Sequence, residues 1–151
     1  MFNLKAEFYL KIIFLFSFIA LISAFFIEYI LGHQPCNLCL IERIPYGLSI
    51  MIIMAIFLIR KNQKFLVMLL ILTFIFSFAI SFYHFGIEQG FFQESSVCGV
   101  KSLTEIITKE DLLKQLSEKT ISCKDVTFRI FGLSLTSINI VISLLLILTL
   151  I

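Results

Sequence analysis

Four long apolar runs limit what this chain can fold into. They cover approximately residues 12–31, 40–59, 65–85 and 130–151, and each is close to the ~20 residues that a helix needs to cross a bilayer. The stretch from residue 65 to residue 80 has only Thr73 and Ser77 as polar positions, so it lacks the polar face of a soluble amphipathic helix. The content of 60% hydrophobic and 15% charged residues is also outside the range of ordinary soluble domains. We therefore predict an all-α membrane protein, with residues 1–151 forming a single bundle of four transmembrane helices.

Basic residues next to the apolar runs indicate how the bundle is oriented. Arg60, Lys61 and Lys64 lie in the short link between the second and third runs, and Lys5 and Lys11 precede the first run. Short positively charged segments tend to remain in the cytoplasm. We therefore expect a multi-pass membrane protein with both termini on the cytoplasmic side.

All four cysteines then belong to the outer connections, which we place at approximately residues 32–39 and 86–129. Cys36 and Cys39 lie in the first, and Cys98 and Cys123 in the second. In a bacterium this side is the periplasm, where disulfides form and persist. The cysteine distribution therefore favours thiol redox chemistry or structural bridging.

The sequence "PCNLCLIER", residues 35–43, contains a C-x-x-C pair formed by Cys36 and Cys39. Such a pair is typical of a redox-active dithiol, because a short loop recloses quickly and its surroundings can stabilise one thiolate. A purely structural bridge is a weaker alternative, since closing so small a loop stabilises a fold little. A zinc site is not favoured because Cys98 and Cys123 are far apart and form no second close pair. We expect no metal.

Arg43 follows Cys39 by four residues and is a candidate partner of a thiolate. If one helix runs through both, the two residues lie about 6 Å apart along the same face. Pro45 offers another geometry, in which a helix starts near Arg43 and leaves Cys39 in the preceding loop. Arg43 could also serve only as a snorkelling anchor at the membrane interface.

The second outer connection contains a candidate amphipathic helix. Residues 102–119 place apolar side chains near helical spacing, and Ser102 with Glu105 fits a capping box. We predict a short helix lying on the membrane surface or closing the loop.

Taken together, these motifs resemble the DsbB family of quinone-dependent disulfide-bond formation proteins. The resemblance rests on "PCNLCLIER", on the order of the four cysteines, on "FYHFGIEQG" at residues 82–90 and on "RIFGLSLTSIN" at residues 129–139. It covers nearly the whole chain. It implies four helices in a bacterial inner membrane, a C-x-x-C in the first periplasmic loop and a second cysteine pair in the longer loop.

The resemblance also implies a relay of electrons and a role for each cysteine. A periplasmic thioredoxin-like dithiol oxidase, DsbA, would deliver electrons to a Cys98–Cys123 disulfide. Cys98 would form the mixed disulfide with this partner, and Cys123 would pass electrons toward Cys36. Reduction would then reach the Cys36–Cys39 pair.

The electron acceptor implied is a membrane quinone, either ubiquinone or menaquinone. Cys39 and Arg43 would interact with it. His84, at the outer end of the third run, would support quinone binding or proton delivery, unless it is an ordinary interfacial histidine. The expected partners are the DsbA-like protein, the quinone pool and membrane lipid, with no nucleic acid.

Two other classes remain as alternatives. A relative of vitamin K epoxide reductase would share the bundle and the quinone chemistry, but its C-x-x-C usually lies late in the chain, unlike Cys36 and Cys39. A non-enzymatic membrane scaffold would carry two structural disulfides and exchange no electrons with quinone.

Overall fold

Helices account for most of the described structure. The computed structural model describes residues 4–59, 62–94, 98, 122–124, 129–130 and 132–150. The helices are α1 (Leu4–Tyr29), α2 (Asn37–Ile41), α3 (Ile44–Leu58), α4 (Gln63–Glu88) and α5 (Leu135–Leu150), with strands β1 (Arg129–Ile130) and β2 (Leu133–Ser134) preceding α5.

The two strands form a small antiparallel hairpin at the start of α5. Arg129 pairs with Ser134, and Ile130 pairs with Leu133. The turn contains Gly132 at φ 83°, a conformation that glycine adopts without the penalty of a side chain. The predicted fourth span began at residue 130, whereas α5 begins at Leu135 because the preceding residues form this hairpin.

Among the described residues, three helical stretches are long and apolar enough to cross a bilayer. They are Ala6–Tyr29 in α1, Asn37–Leu58 across α2 and α3, and α4. Helix α5 is apolar but has 16 residues, a length of about 24 Å against a hydrocarbon core of about 30 Å. The fold is thus mostly helical and fits a multi-pass membrane protein with a shorter fourth apolar helix. The predicted amphipathic helix at residues 102–119 lies outside the described residues.

The long helices pack in chain order. Helix α1 packs against α3, α3 against α4, and α4 most extensively against α5. Their shared core is apolar and includes the fully buried Ile53, Leu70 and Phe74. Large apolar side chains also cover the outside of the helices, as at Met51 and Leu148, which suits contact with lipid.

Small hydroxyl side chains lie at the helix contacts. Ser49 donates a hydrogen bond to Ser17 at 3.0 Å between α3 and α1, and Ser143 donates to Ser77 at 3.1 Å between α5 and α4. All four are fully buried. Small polar residues of this kind let membrane helices approach closely and satisfy each other's hydrogen bonds.

Candidate active site

The first cysteine pair lies on its own short helix, α2. Cys36 caps this helix in an extended conformation, and its Sγ accepts a hydrogen bond from the backbone N–H of Cys39 at 3.3 Å. Pro45 occupies the first turn of α3, where a proline is favoured, so a new helix starts at Ile44. The result lies between the two geometries that the sequence left open: Cys39 is helical, and Arg43 belongs to the start of the next helix.

Cys36 and Cys39 are both free thiols with different surroundings. Cys36 is buried, and His84 Nε2 of α4 lies 3.6 Å from its Sγ. The hydrogen bond from the Cys39 thiol, together with the contact from His84, lowers the pKa of Cys36 to about 4, although burial acts in the opposite direction. This arrangement favours a thiolate at Cys36.

A buried network holds the His84 ring from its other side. His84 Nδ1 lies 2.8 Å from Glu42 Oε1, and Glu42 Oε2 accepts a hydrogen bond from Asn139 Nδ2 at 3.0 Å. Asn139 Nδ2 also donates to Ser81 Oγ at 2.7 Å, and Tyr46 donates its hydroxyl hydrogen to Asn139 Oδ1. Since these partners come from α3, α4 and α5, the network fixes the ring relative to three elements.

Glu88 places a second carboxylate beside the same histidine. Thr136 donates a hydrogen bond to Glu88 Oε1 at 2.6 Å, and this oxygen lies 3.9 Å from His84 Nε2. Glu88 Oε2 is buried and has no hydrogen-bond partner among the described residues. His84 therefore faces Glu42 at one ring nitrogen, and Cys36 with Glu88 at the other.

Arg43 is held by α1. Its guanidinium forms an ion pair with Glu28, and its Cζ lies 5.2 Å from the centroid of the Phe25 ring. Its side chain is 16% exposed, so it is more enclosed than a simple surface anchor.

A cavity of about 370 Å³ opens beside Cys39 and Arg43. This volume is within the range of small-molecule sites, about 300–1,000 Å³. Its wall is largely apolar. Residues of α1, the loop after α1, α2, the start of α3 and α5 form it. Its polar residues are Ser23, His33, Gln34, Glu42, Arg43, Tyr46, Thr136 and Asn139.

Two of the predicted cofactor-binding residues, Cys39 and Arg43, line this cavity, whereas His84 is not among its lining residues. His84 instead contacts Cys36 and Glu42. Glu42 both lines the cavity and contacts His84.

The second cysteine pair is bridged. Cys98 and Cys123 form a disulfide with a Cα–Cα distance of 5.7 Å, which matches the pairing that the resemblance implied. Both are buried in one apolar cluster with Cys36, Leu38 and Ile87. We call these five residues the cysteine cluster. It brings the two pairs together although α3 and α4 lie between them in the sequence.

The sequence pointed to Cys36, Cys39, Arg43 and His84, but Glu88, Thr136 and Asn139 were missed. A polar side chain within an apolar membrane run often marks a functional site, and Asn139 within "SINIVIS" is such a residue. No comparable signal identifies Glu88, which lies at the end of α4.

A known family and a known protein are similar to this chain over most of its length. The family described as "Disulfide bond formation protein DsbB" matches residues 6–151 of the chain. A protein of Rickettsia prowazekii (strain Madrid E), described as "Uncharacterized protein RP370", is 32% identical over 130 residues, which are 85% of this chain and 76% of the relative. No solved structure matches the chain.

Proposed function

Because the chain belongs to the DsbB family of disulfide bond formation proteins, we propose that this membrane disulfide oxidoreductase reoxidises a periplasmic DsbA-like dithiol oxidase and passes the electrons to a membrane quinone. The observation that carries the proposal is the position of the first cysteine pair. Cys39 lines the cavity, and Cys36 belongs to the cysteine cluster, which also contains the Cys98–Cys123 disulfide.

The second pair is the entry point for electrons. The thiolate of the DsbA-like partner attacks the Cys98–Cys123 disulfide at Cys98, and the mixed disulfide resolves to an oxidised partner and two thiols at Cys98 and Cys123. Cys123 then attacks the Cys36–Cys39 disulfide at Cys36. This exchange re-forms the Cys98–Cys123 bridge and leaves Cys36 and Cys39 as thiols, which is the state that the structure describes.

The cavity beside Cys39 suits a quinone head group. Its apolar wall fits an isoprenoid compound, and Arg43, Tyr46 and Asn139 offer polar contacts at one part of the surface. A bound quinone, ubiquinone or menaquinone, supplies the two-electron oxidant and accepts two protons as it becomes quinol. Cys36 and Cys39 provide the two electrons as they close to a disulfide, the Cys39 thiol provides one proton, and solvent provides the proton that the Cys36 thiolate lacks.

Arg43 and His84 have separate tasks in this scheme. Arg43 borders the cavity and orients the quinone, with Glu28 and Phe25 holding the guanidinium. His84 contacts Cys36 rather than the cavity, so its support for quinone reduction is to hold the buried sulfur in place.

The scheme requires the cysteines on the periplasmic side of a bacterial inner membrane and both termini in the cytoplasm. The basic link at residues 60–64 supports this orientation. A periplasmic position gives the second pair access to its soluble partner while the cavity remains accessible to lipid-dissolved quinone.

The direct test is quinone reduction by the purified full chain in lipid nanodiscs. A reduced thioredoxin-like periplasmic oxidase and a short-chain ubiquinone or menaquinone are added, and the quinone absorbance is followed. The wild-type protein is expected to turn over. A Cys39→Ser variant should show only the background rate.

A Cys98→Ala variant separates the two halves of the relay. It should fail to oxidise the protein partner but still oxidise a small dithiol through Cys36 and Cys39. Absence of turnover in the wild type with both quinones, or loss of small-dithiol oxidation in folded Cys98→Ala, would reject the proposal and favour a scaffold with structural disulfides.

A further inference from the structure

The reduced first cysteine pair and His84 together have the geometry of a metal site. One ligand atom from each of Cys36, Cys39 and His84 lies within 4.8 Å of the other two. In tetrahedral zinc sites the Zn–S and Zn–N bonds of about 2.3 and 2.0–2.1 Å give an S···N edge of about 3.6 Å. The Cys36 Sγ to His84 Nε2 distance is 3.6 Å. We propose that the reduced protein binds a thiophilic divalent cation, Zn²⁺, through these three side chains.

The surroundings of His84 already match those of a metal-bound histidine. Metal-ligating histidines almost always direct their second ring nitrogen at a carboxylate, carbonyl or water, which fixes the ring and strengthens the ligand. His84 Nδ1 lies 2.8 Å from Glu42 Oε1, and Glu42 is itself held by Asn139 at 3.0 Å. Nε2 is therefore the nitrogen directed at the thiols.

A second carboxylate lies on the same side of the ring, outside the group of three ligands. Glu88 Oε1 lies 3.9 Å from His84 Nε2, and Glu88 Oε2 is buried without a hydrogen-bond partner among the described residues. A cation held by Cys36, Cys39 and His84 would offset the charge of the two thiolates, of which the Cys36 thiolate is buried. A buried charge is costly without a counter-charge.

The cysteine spacing alone gave no reason to expect this site. Cys98 and Cys123 form a disulfide and cannot supply ligands to a cation. The third ligand instead comes from α4, 48 residues after Cys36 in the sequence.

Binding depends on the redox state of the first pair. Zn²⁺ displaces the protons that the two sulfurs and His84 Nε2 still carry, these protons pass to solvent, and no electrons are transferred. Once Cys36 and Cys39 close to a disulfide, neither sulfur remains a thiolate ligand. The cation and the oxidant therefore compete for the same reduced pair.

The test uses Co²⁺ as a spectroscopic probe for Zn²⁺. The full chain carrying Cys98→Ser and Cys123→Ser, which leaves only the first pair, is placed in nanodiscs, reduced with a phosphine and titrated without oxygen. A thiolate-to-cobalt charge-transfer band should grow to saturation at one equivalent and disappear when Zn²⁺ is added. After oxidation of the Cys36–Cys39 pair, no band should form. Absence of the band in the reduced protein would overturn the proposal.

Three substitutions show which side chains hold the ion. His84→Gln should weaken Zn²⁺ binding by at least about tenfold, and Glu42→Gln by about 10–100-fold, as for other groups that orient metal-bound histidines. The matched control for Glu42→Gln is Glu7→Gln, which makes the same change at an exposed carboxylate near the start of α1 and should leave affinity unchanged. Circular dichroism identifies variants that retain the helical fold. Unchanged affinity in folded His84→Gln would overturn the assignment. Because no quinone is present, this experiment can succeed or fail independently of the proposed oxidoreductase activity.

Discussion

Cys36 and Cys39 are three residues apart but face different partners. Cys36 is buried beside His84 and belongs to the cysteine cluster, whereas Cys39 is partly exposed and lines the cavity. A capped helix of one short turn produces this division, because it turns the two sulfurs toward different neighbours. Each thiol can therefore serve a different exchange, one with the second pair and one with an acceptor in the cavity.

Arg43 is the residue whose removal tests the cavity most directly. Arg43→Ala removes the guanidinium from the cavity wall, and we expect the apparent quinone KM to rise about tenfold, equivalent to about 1.4 kcal/mol. Steady-state quinone reduction measures this change. Arg43→Lys should recover only part of the loss, because lysine keeps the charge but not the planar contact with Phe25.

The matched control is Glu28→Gln, which removes the ion-pair partner and leaves Arg43 in place. Because partly exposed ion pairs contribute about 0–1 kcal/mol, KM should change much less than in Arg43→Ala. An unchanged KM in Arg43→Ala would remove this residue from the binding site.

Asn139 stabilises the network behind His84. Asn139→Ala leaves Glu42 Oε2, Ser81 and Tyr46 without their bonds to this amide. A buried polar group left without a hydrogen-bond partner lowers the free energy of unfolding by about 1–3 kcal/mol. We therefore expect a lower Tm and slower quinone reduction. Thermal unfolding of the nanodisc-embedded protein measures the first effect.

Thr149→Ala on the same helix is the control for Asn139. Thr149 donates only to the carbonyl of Leu146 in its own turn, at 2.9 Å. Its loss should change the free energy of unfolding by no more than about 0.5 kcal/mol. Equal effects of the two substitutions would show that the amide does not hold the network.

At the level of elements, Gly86 leaves room for the segment after α4 to pack against the end of that helix. A Cβ at Gly86 would lie 2.1 Å from the Phe92 ring, which stacks on Tyr83 with centroids 5.6 Å apart. The Gly86 carbonyl also accepts hydrogen bonds from Phe91 and Phe92 N–H at 2.8 and 3.1 Å. Gly86→Ala should therefore displace the ring and destabilise the fold by about 1–3 kcal/mol.

Gly47 in α3 provides the opposite case. A Cβ at Gly47 would meet nothing within 4 Å, and alanine is favoured over glycine within helices by about 0.5–1 kcal/mol. Gly47→Ala should therefore raise Tm while Gly86→Ala lowers it. A Tm for Gly86→Ala equal to or above that of Gly47→Ala would contradict the importance of the Phe92 contact.

The sequence predicted the apolar helices better than their ends. Runs of about 20 apolar residues are sufficient to identify membrane helices, since lipid contact does not require a specific partner. The separation of α2 from α3 and the hairpin before α5 depend on local backbone geometry, at Pro45 and Gly132. The C-x-x-C motif predicted Cys36 and Cys39 as redox thiols from their spacing alone, and the structure describes both as free thiols.

At the scale of the whole molecule, the site consists of side chains that are far apart in the sequence and meet only when the helices pack. A single sequence does not show which of them meet. Glu42 and Asn139 form a hydrogen bond across 97 positions, and His84 and Thr136 meet across 52. Which polar residues of different helices meet depends on how α4 packs on α5 and α3. The cavity is a product of the same packing, since its wall combines α1, α3 and α5.

The orientation of the molecule gives the last prediction. Asn62→Cys places a thiol in the basic link before α4, and Lys124→Cys places one beside Cys123; both positions are exposed. Because positively charged short links remain in the cytoplasm, a membrane-impermeant maleimide added to intact spheroplasts should label Lys124→Cys. It should label Asn62→Cys only after lysis. The wild-type chain, treated in parallel, measures labelling of the native cysteines. The reverse pattern would place the Cys98–Cys123 disulfide in the cytoplasm, where glutathione and thioredoxin keep thiols reduced, and a relay fed by a periplasmic oxidase could not operate.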